Sequence, residues 1–368
     1  MRVKVPMAFD SHGFTKKQLG LHRPILDGKV NFPLCLAPMV GLTHVALREV
    51  IREYMPADAF TIWPTEMLNS RRIPNENLVT TPETMRAPHE TGLVPQILGN
   101  EEVPIMESVK RLIEWGAEAI DINMGCPVQK ALKHNYGVAL MGDPSYAAEV
   151  VRMTVKNATV PVSVKLRAVG STKEFDELLT FVSGLRNSGA AWVCLHPRTA
   201  AQKRRGSADW EQIKQLHKAV DFPVIGNGDI QTSDDAKAML EETGCDMAMA
   251  GRGLAARPWM MWQLGEDLGF ASPAGKEGMK APRTSEEEGA EYGKCLLKLI
   301  HLSRQYFGDD LAMRKVRFFV RTTSVWLLFG NALVGVCAKA RNVDEMIEGV
   351  QKFFEGPVEM SPRTELRQ

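Results

Sequence analysis

A repeated alternation along the chain limits the possible folds more than any other feature. Between residues 32 and 265, short apolar runs alternate with longer amphipathic segments, and eight such runs occur. Eight strand–helix units are typical of a closed parallel barrel. An open doubly wound sheet would also alternate, but no G-x-G-x-x-G turn follows the first run. We therefore predict an α/β fold, a (β/α)8 TIM barrel. The predicted strands are Leu34–Pro38, Phe60–Pro64, Leu93–Leu98, Ala119–Asn123, Pro161–Leu166, Trp192–His196, Pro223–Gly226 and Asp246–Ala250.

A change of composition marks the end of the predicted barrel. Residues 269–288 are rich in Ser, Pro, Gly, Lys and Glu, which is typical of a linker. Residues 291–354 then show helical periodicity with few strand signals, so we expect an all-helical second domain. The predicted segments are an N-terminal extension at 1–31, the barrel domain at 32–268, a linker at 269–288, a helical domain at 289–356 and a flexible tail at 357–368.

Composition excludes several classes of protein. The 368 residues are 44% hydrophobic and 24% charged, an ordinary globular balance, and the net charge is only +1. The six cysteines are scattered without a C-x-x-C pair, so neither a disulfide framework nor a metal site is predicted. The longest apolar stretch, residues 325–338, is shorter than the ~20 residues of a membrane helix. We expect a protein of the reducing cytoplasm, with no membrane association and no stable protein partner.

Polar residues follow the predicted strands at the ends where active sites of barrels lie. The carboxyl ends of the strands share the barrel mouth, and polar groups at seven of the eight ends predict a lined site. For any single Asn or Gln, a loop cap or a satisfied core polar group is the simpler interpretation. In chain order these ends carry Pro38 and Met39, Glu66, Gln96, Asn123, Lys165, His196, Asn227, and Gly251 with Arg252.

Cys126 lies just beyond the fourth predicted strand, in the segment N-M-G-C-P-V-Q-K at 123–130. A thiol held there beside a glycine and a proline can do acid–base chemistry. The alternative is a packed loop cysteine, because free cysteine is among the most buried residue types.

Two glycine-rich turns, residues 226–232 and 251–258, follow the seventh and eighth predicted strands. Loops at these positions of a barrel commonly bind phosphate, and glycine lets backbone N–H groups approach an anion. Glycine is also the default residue of any tight turn. Lys165 ends an apolar strand, and its ammonium group would stabilise a reduced, anionic flavin. A side chain that extends to solvent is the alternative for this lysine.

In combination, these segments resemble the dihydrouridine synthase family, FMN-dependent enzymes that reduce uridines in tRNA. The resemblance covers the whole predicted barrel, and N-M-G-C-P is its most specific motif. The chain departs from the family pattern in two places. Gln202–Gly206 replaces a usual Gly-Tyr, and the leader, which is the N-terminal extension at 1–31, is longer than usual. The matching segments are A-P-M-V-G at 37–41, T-E-M at 65–67, Q-I-L-G-N at 96–100, D-I-N-M-G-C-P at 121–127, G-V-A-L-M at 137–141, S-V-K-L-R at 163–167, H-P-R-T at 196–199, G-N-G-D-I at 226–230 and G-R-G at 251–253.

The resemblance implies a division of roles at the barrel mouth. NADPH, or NADH, would reduce FMN, which would pass a hydride to C6 of a flipped-out uridine. Cys126 would be the general acid that protonates C5, and Asn123 would hydrogen-bond the base. The cofactor-binding residues that the resemblance implies are Pro38, Met39, Gln96, Lys165, His196, Asn227, Gly228, Asp229, Gly251 and Arg252.

A local excess of positive charge supports an RNA partner. Residues 290–341 contain nine Lys and Arg against three Asp and Glu. On a helix, Arg314, Arg317 and Arg321 lie on one stripe, which fits contacts to the RNA backbone. A solvated helix face is the ordinary alternative. The predicted RNA contacts are Arg198, Lys203, Arg204, Arg205, Arg314, Arg317 and Arg321.

Two other functions are compatible with parts of the sequence. A flavin barrel that reduces a small pyrimidine or enone would explain the phosphate loops and Lys165, but it would leave the basic helical domain without a role. A non-catalytic RNA-binding protein on a decayed barrel is less consistent with the intact Cys126, Lys165 and His196.

Overall fold

The computed structural model describes residues 19–128, 133–203 and 205–365, and it shows a nearly closed barrel. Eight parallel strands form one sheet in the order β1-β8-β7-β6-β5-β4-β3-β2. At the seam between β1 and β2, Thr61 Oγ1 donates to the Leu34 carbonyl at 2.8 Å, which holds the two ends together. The predicted (β/α)8 fold is confirmed. The strands are β1 Leu34–Leu36, β2 Trp63–Asn69, β3 Leu93–Leu98, β4 Ile120–Met124, β5 Val162–Arg167, β6 Trp192–His196, β7 Val224–Asn227 and β8 Met247–Ala250.

The second strand differs from its prediction. We expected Phe60–Pro64, but β2 runs over Trp63–Asn69 and shifts register against β3 between Pro64 and Met67. The shift falls at Thr65 and Glu66, two polar residues that are almost fully buried. A strand predicted from apolar residues alone stops before polar residues such as these. The sequence does not reveal that their polar groups find hydrogen-bond partners inside the protein.

Helices surround the barrel, except between β2 and β3, where residues 70–92 contain a single 3₁₀ turn at Ile73–Asn75. Local signals set several helix ends. Asp143 accepts a hydrogen bond from the Tyr146 N–H at the start of α3, and Gly116 ends α2 with a φ of 107°. The barrel helices are α1 Val45–Arg52, α2 Glu102–Trp115, α3 Pro144–Asn157, α4 Phe175–Asn187, α5 Trp210–Ala219, α6 Ser233–Thr243, α7 Arg252–Ala256 and α8 Met260–Leu268.

The described part of the leader, residues 19–31, closes the amino end of the barrel. Ile25, Leu26 and Val30 are buried with apolar residues of the barrel interior. The Arg23 backbone N–H donates to Asp246 Oδ1 at 2.9 Å, just before β8. The leader therefore completes the core at the end opposite the predicted site, a role that its sequence did not reveal.

Three further helices follow the barrel: α9 Ser285–Thr323, α10 Gly330–Lys339 and α11 Val343–Phe353. Helix α9 packs against α1 and α7 of the barrel, and α10 and α11 pack on α9. A capping box of Thr284 and Glu287 starts α9, so its first residues fall inside the segment predicted as a linker. Buried Glu288 accepts hydrogen bonds from Arg257 and Trp259, which joins α9 to the barrel. Among the described helices, none is both long and apolar enough to cross a membrane.

Candidate active site

A chain of buried hydrogen bonds links three strands beneath the barrel mouth. Ser163 Oγ on β5 donates to Asp121 Oδ1 on β4 at 2.6 Å. Gln96 Nε2 on β3 donates to Asp121 Oδ2 at 2.7 Å. Asn123 Nδ2, at the end of β4, donates to Gln96 Oε1 at 2.7 Å. We call this set, Ser163–Asp121–Gln96–Asn123, the relay.

The backbone determines the direction of the relay. Asn123 Oδ1 accepts the N–H groups of Gly125 at 3.2 Å and Cys126 at 2.9 Å. Because a backbone N–H can only donate, the oxygen of the Asn123 amide must face these groups and its nitrogen must face Gln96. Gln96 must then point its nitrogen at Asp121. Each amide orientation therefore follows from the position of the loop that carries Cys126.

Asp121 is the buried carboxyl group of the relay and lies between Ser163 and Gln96. Burial raises the pKa of its carboxyl group above the ordinary value, while hydrogen bonds from Gln96 and Ser163 and the charge of Lys165 oppose the increase. Gln96 is also buried, and both ends of its amide are engaged within the relay. Gln96 therefore supports Asn123, and its predicted contact to the cofactor stays a prediction.

The loop of Cys126 is held from three sides. Its N–H is bound by Asn123, and its carbonyl accepts the N–H of Val138 at 3.2 Å. Gly137, with a φ of 59°, packs against it so closely that a Cβ atom there would lie 2.6 Å from the Cys126 carbonyl oxygen. Arg167 on β5 donates from Nε to the Gly125 carbonyl at 2.8 Å. Arg167 was not predicted, although it ends the S-V-K-L-R motif.

Cys126 differs from the other five cysteines in exposure. It is partly exposed at the barrel mouth, whereas the other five are buried. Burial raises the pKa of each of those five thiols. Of the six thiols, only that of Cys126 is accessible to a substrate from solvent.

Lys165 and Asn227 meet on the other side of the mouth. Lys165 Nζ donates to Asn227 Oδ1 at 3.1 Å, and Asn227 Nδ2 donates to the Met249 carbonyl at 2.7 Å. Gly251, in the loop after β8, lies so close to Met39 that a Cβ atom would be 3.3 Å from the methionine sulfur. Pro38, Met39, Gly251 and Arg252 are all partly exposed there.

Next to β6, two predicted residues bind each other. Arg198 is buried, and its guanidinium donates to Asp229 Oδ1 at 2.6 Å and Oδ2 at 2.9 Å. This pair ties the loop after β6 to the loop after β7, so the prediction of Arg198 as an RNA contact is not supported by its burial. Arg198 also lies 3.2 Å from His196 Nε2. Because guanidinium only donates, that nitrogen of His196 must accept.

A cavity of about 280 Å³ opens beside the Cys126 loop, between β2, β3 and residues 133–137. Leu98 and Tyr136 form an apolar cluster against which Met67 and Cys126 pack. The cavity approaches the size of ordinary small-ligand sites, about 300–1,000 Å³. Its lining is Val40, Glu66, Met67, Leu68, Asn69, Arg72, Glu76, Glu83, Leu98, Val128, His134 and Tyr136.

Glu66 connects this cavity to the helical domain. Its carboxylate accepts the N–H of Gly41 at 2.5 Å and the ammonium group of Lys315 on α9 at 3.3 Å. Both charged side chains are largely buried, with exposed fractions of 3% for Glu66 and 11% for Lys315. Glu66 was predicted at a strand end, whereas Lys315 had no predicted role, because nothing in its local sequence distinguishes it from a solvated lysine.

The predicted basic residues have different surroundings. Arg314 and Arg321 are exposed on α9. Arg317 instead donates to the carbonyls of Cys337 at 3.1 Å and Ala340 at 2.7 Å, so it caps the end of α10. Lys203 and Arg205 are exposed on the loop after β6, and Arg204 lies outside the described residues.

A family model and several known proteins that are similar to this chain share one description. A family model described as "Dihydrouridine synthase (Dus)" matches residues 35–321. A probable tRNA-dihydrouridine synthase of Mycobacterium leprae is 31% identical over 344 residues, which cover 84% of this chain and 85% of the relative. One from Mycobacterium tuberculosis is 33% identical over 326 residues, covering 85% and 80%. Probable tRNA-dihydrouridine synthase 1 of Synechocystis is 34% identical over 252 residues, covering 68% of each chain.

Proposed function

Because this chain belongs to the dihydrouridine synthase family, we propose that it reduces the C5–C6 double bond of uridine in tRNA, with FMN as cofactor and NADPH as reductant. The observation that carries the proposal is the position of Cys126. Its thiol is the partly exposed one, and a buried relay fixes its loop at the barrel mouth.

The side chains at the mouth fit FMN by their chemistry. Lys165 supplies a cation beside the Asn227 amide, and Arg252 supplies a second cation at the start of α7, directly after Gly251. We propose that Lys165 and Asn227 hold the polar edge of the flavin ring, and that Gly228, Gly251 and Arg252 hold its phosphate. When bound there, FMN supplies the hydride that is added to C6 of uridine.

Cys126 then acts as the general acid. Addition of hydride at C6 places negative charge on C5 and O4, so a proton must reach C5 from a group within hydrogen-bond distance. A thiol carries an S–H proton that it can donate. The thiolate left on Cys126 recovers its proton from solvent before the next turnover.

The fixed position of the loop allows the thiol to select a substrate atom that is brought to one place at the barrel mouth. Gly137 and Asn123 hold the backbone of Cys126, so its side chain has few positions to explore. A uridine stacked within folded RNA cannot reach this thiol and must be flipped into the mouth. We propose that Asn123, partly exposed at the end of β4, donates its second amide proton to the base.

Exposed cations on two sides of the mouth provide contacts for the RNA backbone. Arg314 and Arg321 lie on α9, and Lys203 and Arg205 lie on the loop after β6. Contacts of this kind position an RNA without reading its sequence. Arg198 and Arg317, which were also predicted as RNA contacts, bind other parts of the protein.

The test combines two measurements on the full-length protein. Dihydrouridine is mapped position by position in cellular tRNA with and without the gene, and a visible spectrum is recorded for the purified protein. We expect loss of dihydrouridine at a defined position and a yellow flavin spectrum. A yellow protein with unchanged tRNA would instead favour a small-molecule reductase, and a colourless one would contradict the role of FMN.

A further inference from the structure

An exposed ridge runs along the end of α9 and into the turn before α10. Its members recur at intervals of three or four residues up to residue 325, so they share one face of the helix. Buried Val316, Phe319 and Val320 lie on the opposite face. We call the exposed set the 314–329 ridge, and its members are Arg314, Phe318, Arg321, Val325, Leu328 and Phe329.

Phe329 is the residue of the ridge that the fold explains least. It is 74% exposed, the highest value among the exposed large hydrophobic residues of the helical domain. Its φ is 59°, in the left-handed region that suits Gly or Asn, and a bulky side chain there is strained. The exposed aromatic ring therefore adds little packing within the protein, and the backbone conformation at this position would favour a different residue. Strained residues of this kind that persist are concentrated at functional positions.

The ridge is continuous with the barrel mouth. Phe318 lies against Gly41, in the loop after β1, so closely that a Cβ atom on the glycine would be 2.9 Å from the phenyl ring. Glu66 binds both Gly41 and Lys315, which fixes this end of the ridge to β2. The adjoining Val40 lines the cavity beside Cys126. A polymer that enters the mouth can therefore extend directly onto the ridge.

We propose that the 314–329 ridge is a stacking surface for the substrate RNA, on which Phe329 stacks against an unpaired or terminal base. This inference rests on the proposed function, because the RNA is the same one that places its uridine near Cys126. Exposed Arg321 lies between Phe318 and Val325, so phosphate contacts and apolar contacts alternate along the ridge. Cations interleaved with aromatic rings are typical of surfaces that bind single-stranded RNA.

The experiment measures the dissociation constant of unmodified tRNA for the holoenzyme by fluorescence anisotropy. The main variant is Phe329→Asn, because asparagine tolerates the left-handed backbone and removes the ring. Phe329→Trp keeps an aromatic surface, and Met279→Asn removes an exposed apolar side chain away from the ridge. We expect Phe329→Asn to weaken binding about 5- to 150-fold, the range that corresponds to the loss of one stacked base. We expect its melting temperature to stay the same or increase.

The two control variants and the kinetics complete the test. Phe329→Trp should retain the affinity of the wild type, and Met279→Asn should have no effect on it. With Phe329→Asn, KM for tRNA should rise while kcat stays unchanged, because the ring is not part of the reacting groups. Equal affinities of Phe329→Asn and wild type would overturn the ridge proposal. The proposal would also be overturned if Phe329→Asn lost self-association in sedimentation while its tRNA affinity was unchanged, because the ridge would then bind a second copy of the chain. A wild-type enzyme inactive on tRNA would refute the proposed function itself.

Discussion

The loop of Cys126 and the 314–329 ridge hold their functional groups in opposite ways. Around the loop, the amides of Asn123 and Gln96 are committed to partners inside the protein, and the relay reaches the buried Asp121. On the ridge, Phe329 and Arg321 extend into solvent. In this protein, the group that must transfer a proton is held in position by buried hydrogen bonds. Groups that bind a large, variable partner are left accessible.

The arginines show the same contrast on a smaller scale. Arg167 and Arg198 bind loop carbonyls and a carboxylate at the mouth, and Arg317 caps α10. Arg314 and Arg321 are exposed on the same helix as Arg317. Arginine can serve either purpose because its guanidinium group has five donors in a fixed geometry. Only the surroundings decide whether those donors point into the protein or away from it.

The largest expected effect comes from removing the acid that the loop positions. Cys126→Ala should lower the rate of dihydrouridine formation by about 10²- to 10⁴-fold, the usual contribution of a general acid. Flavin content and tRNA affinity should remain unchanged. Single-turnover kinetics with reduced enzyme measure the step. Cys337→Ala, which removes a buried thiol of α10, is the control and should leave the rate intact. Normal turnover of Cys126→Ala would remove this thiol from the mechanism.

The next effect tests the connection between the two regions. Lys315→Met leaves Glu66 buried without its cation, and breaking such a pair typically costs about 3–5 kcal/mol. The double variant Lys315→Met with Glu66→Gln should recover much of this loss. Urea unfolding of the four proteins gives the coupling free energy.

Lys298→Met is the matched control for this cycle. Lys298 also joins α9 to the barrel, through Glu53, but both side chains are about half exposed. Its removal should cost no more than ~1 kcal/mol, as for other surface ion pairs. Equal losses for Lys315→Met and Lys298→Met would contradict a specific role for the buried pair.

A smaller effect tests the direction of the relay. Asn123→Asp places carboxylate oxygens at both ends of the Gln96 amide, which can donate to only one of them. The unmatched contact should cost about 1–3 kcal/mol of stability. Adding Asp121→Asn should restore stability, because Gln96 can then rotate its amide and Ser163 can still donate to residue 121. The test compares the free energies of unfolding of Asn123→Asp, Asp121→Asn and the double variant. Additive losses would show that the relay has no fixed direction.

The smallest effect concerns the exposed arginines. Changing Arg314 and Arg321 together to Gln should reduce the slope of log affinity against log salt concentration by about 1 to 2, since each phosphate contact releases counterions. Titrations of tRNA at several salt concentrations measure this slope. Arg341→Gln is the control, because Arg341 is exposed but is paired with Glu345 on α11. An unchanged slope in the double variant would place the RNA elsewhere.

Local patterns were sufficient to predict most of the barrel and the place of Cys126. Seven of the eight predicted strands lie within two residues of those observed, because each was a short apolar run with turn residues around it. Cys126 could be placed at the mouth because residues that follow a parallel strand lie at its carboxyl end. The helical domain after residue 284 was predictable for the same reason, since its periodicity is contained in the helices themselves.

Local sequence patterns are therefore enough to give the order of the elements and the residues that follow each strand. Which of those residues have partners depends on the packing of distant segments. Glu66 and Lys315 are 249 positions apart, and their contact joins the ridge to β2, the strand that differs from its predicted place. The relay and the closure of the barrel by the leader depend on contacts between distant segments in the same way. The physical reason is that periodicity reports which face of an element is buried, whereas hydrogen bonds and ion pairs depend on what lies opposite that face.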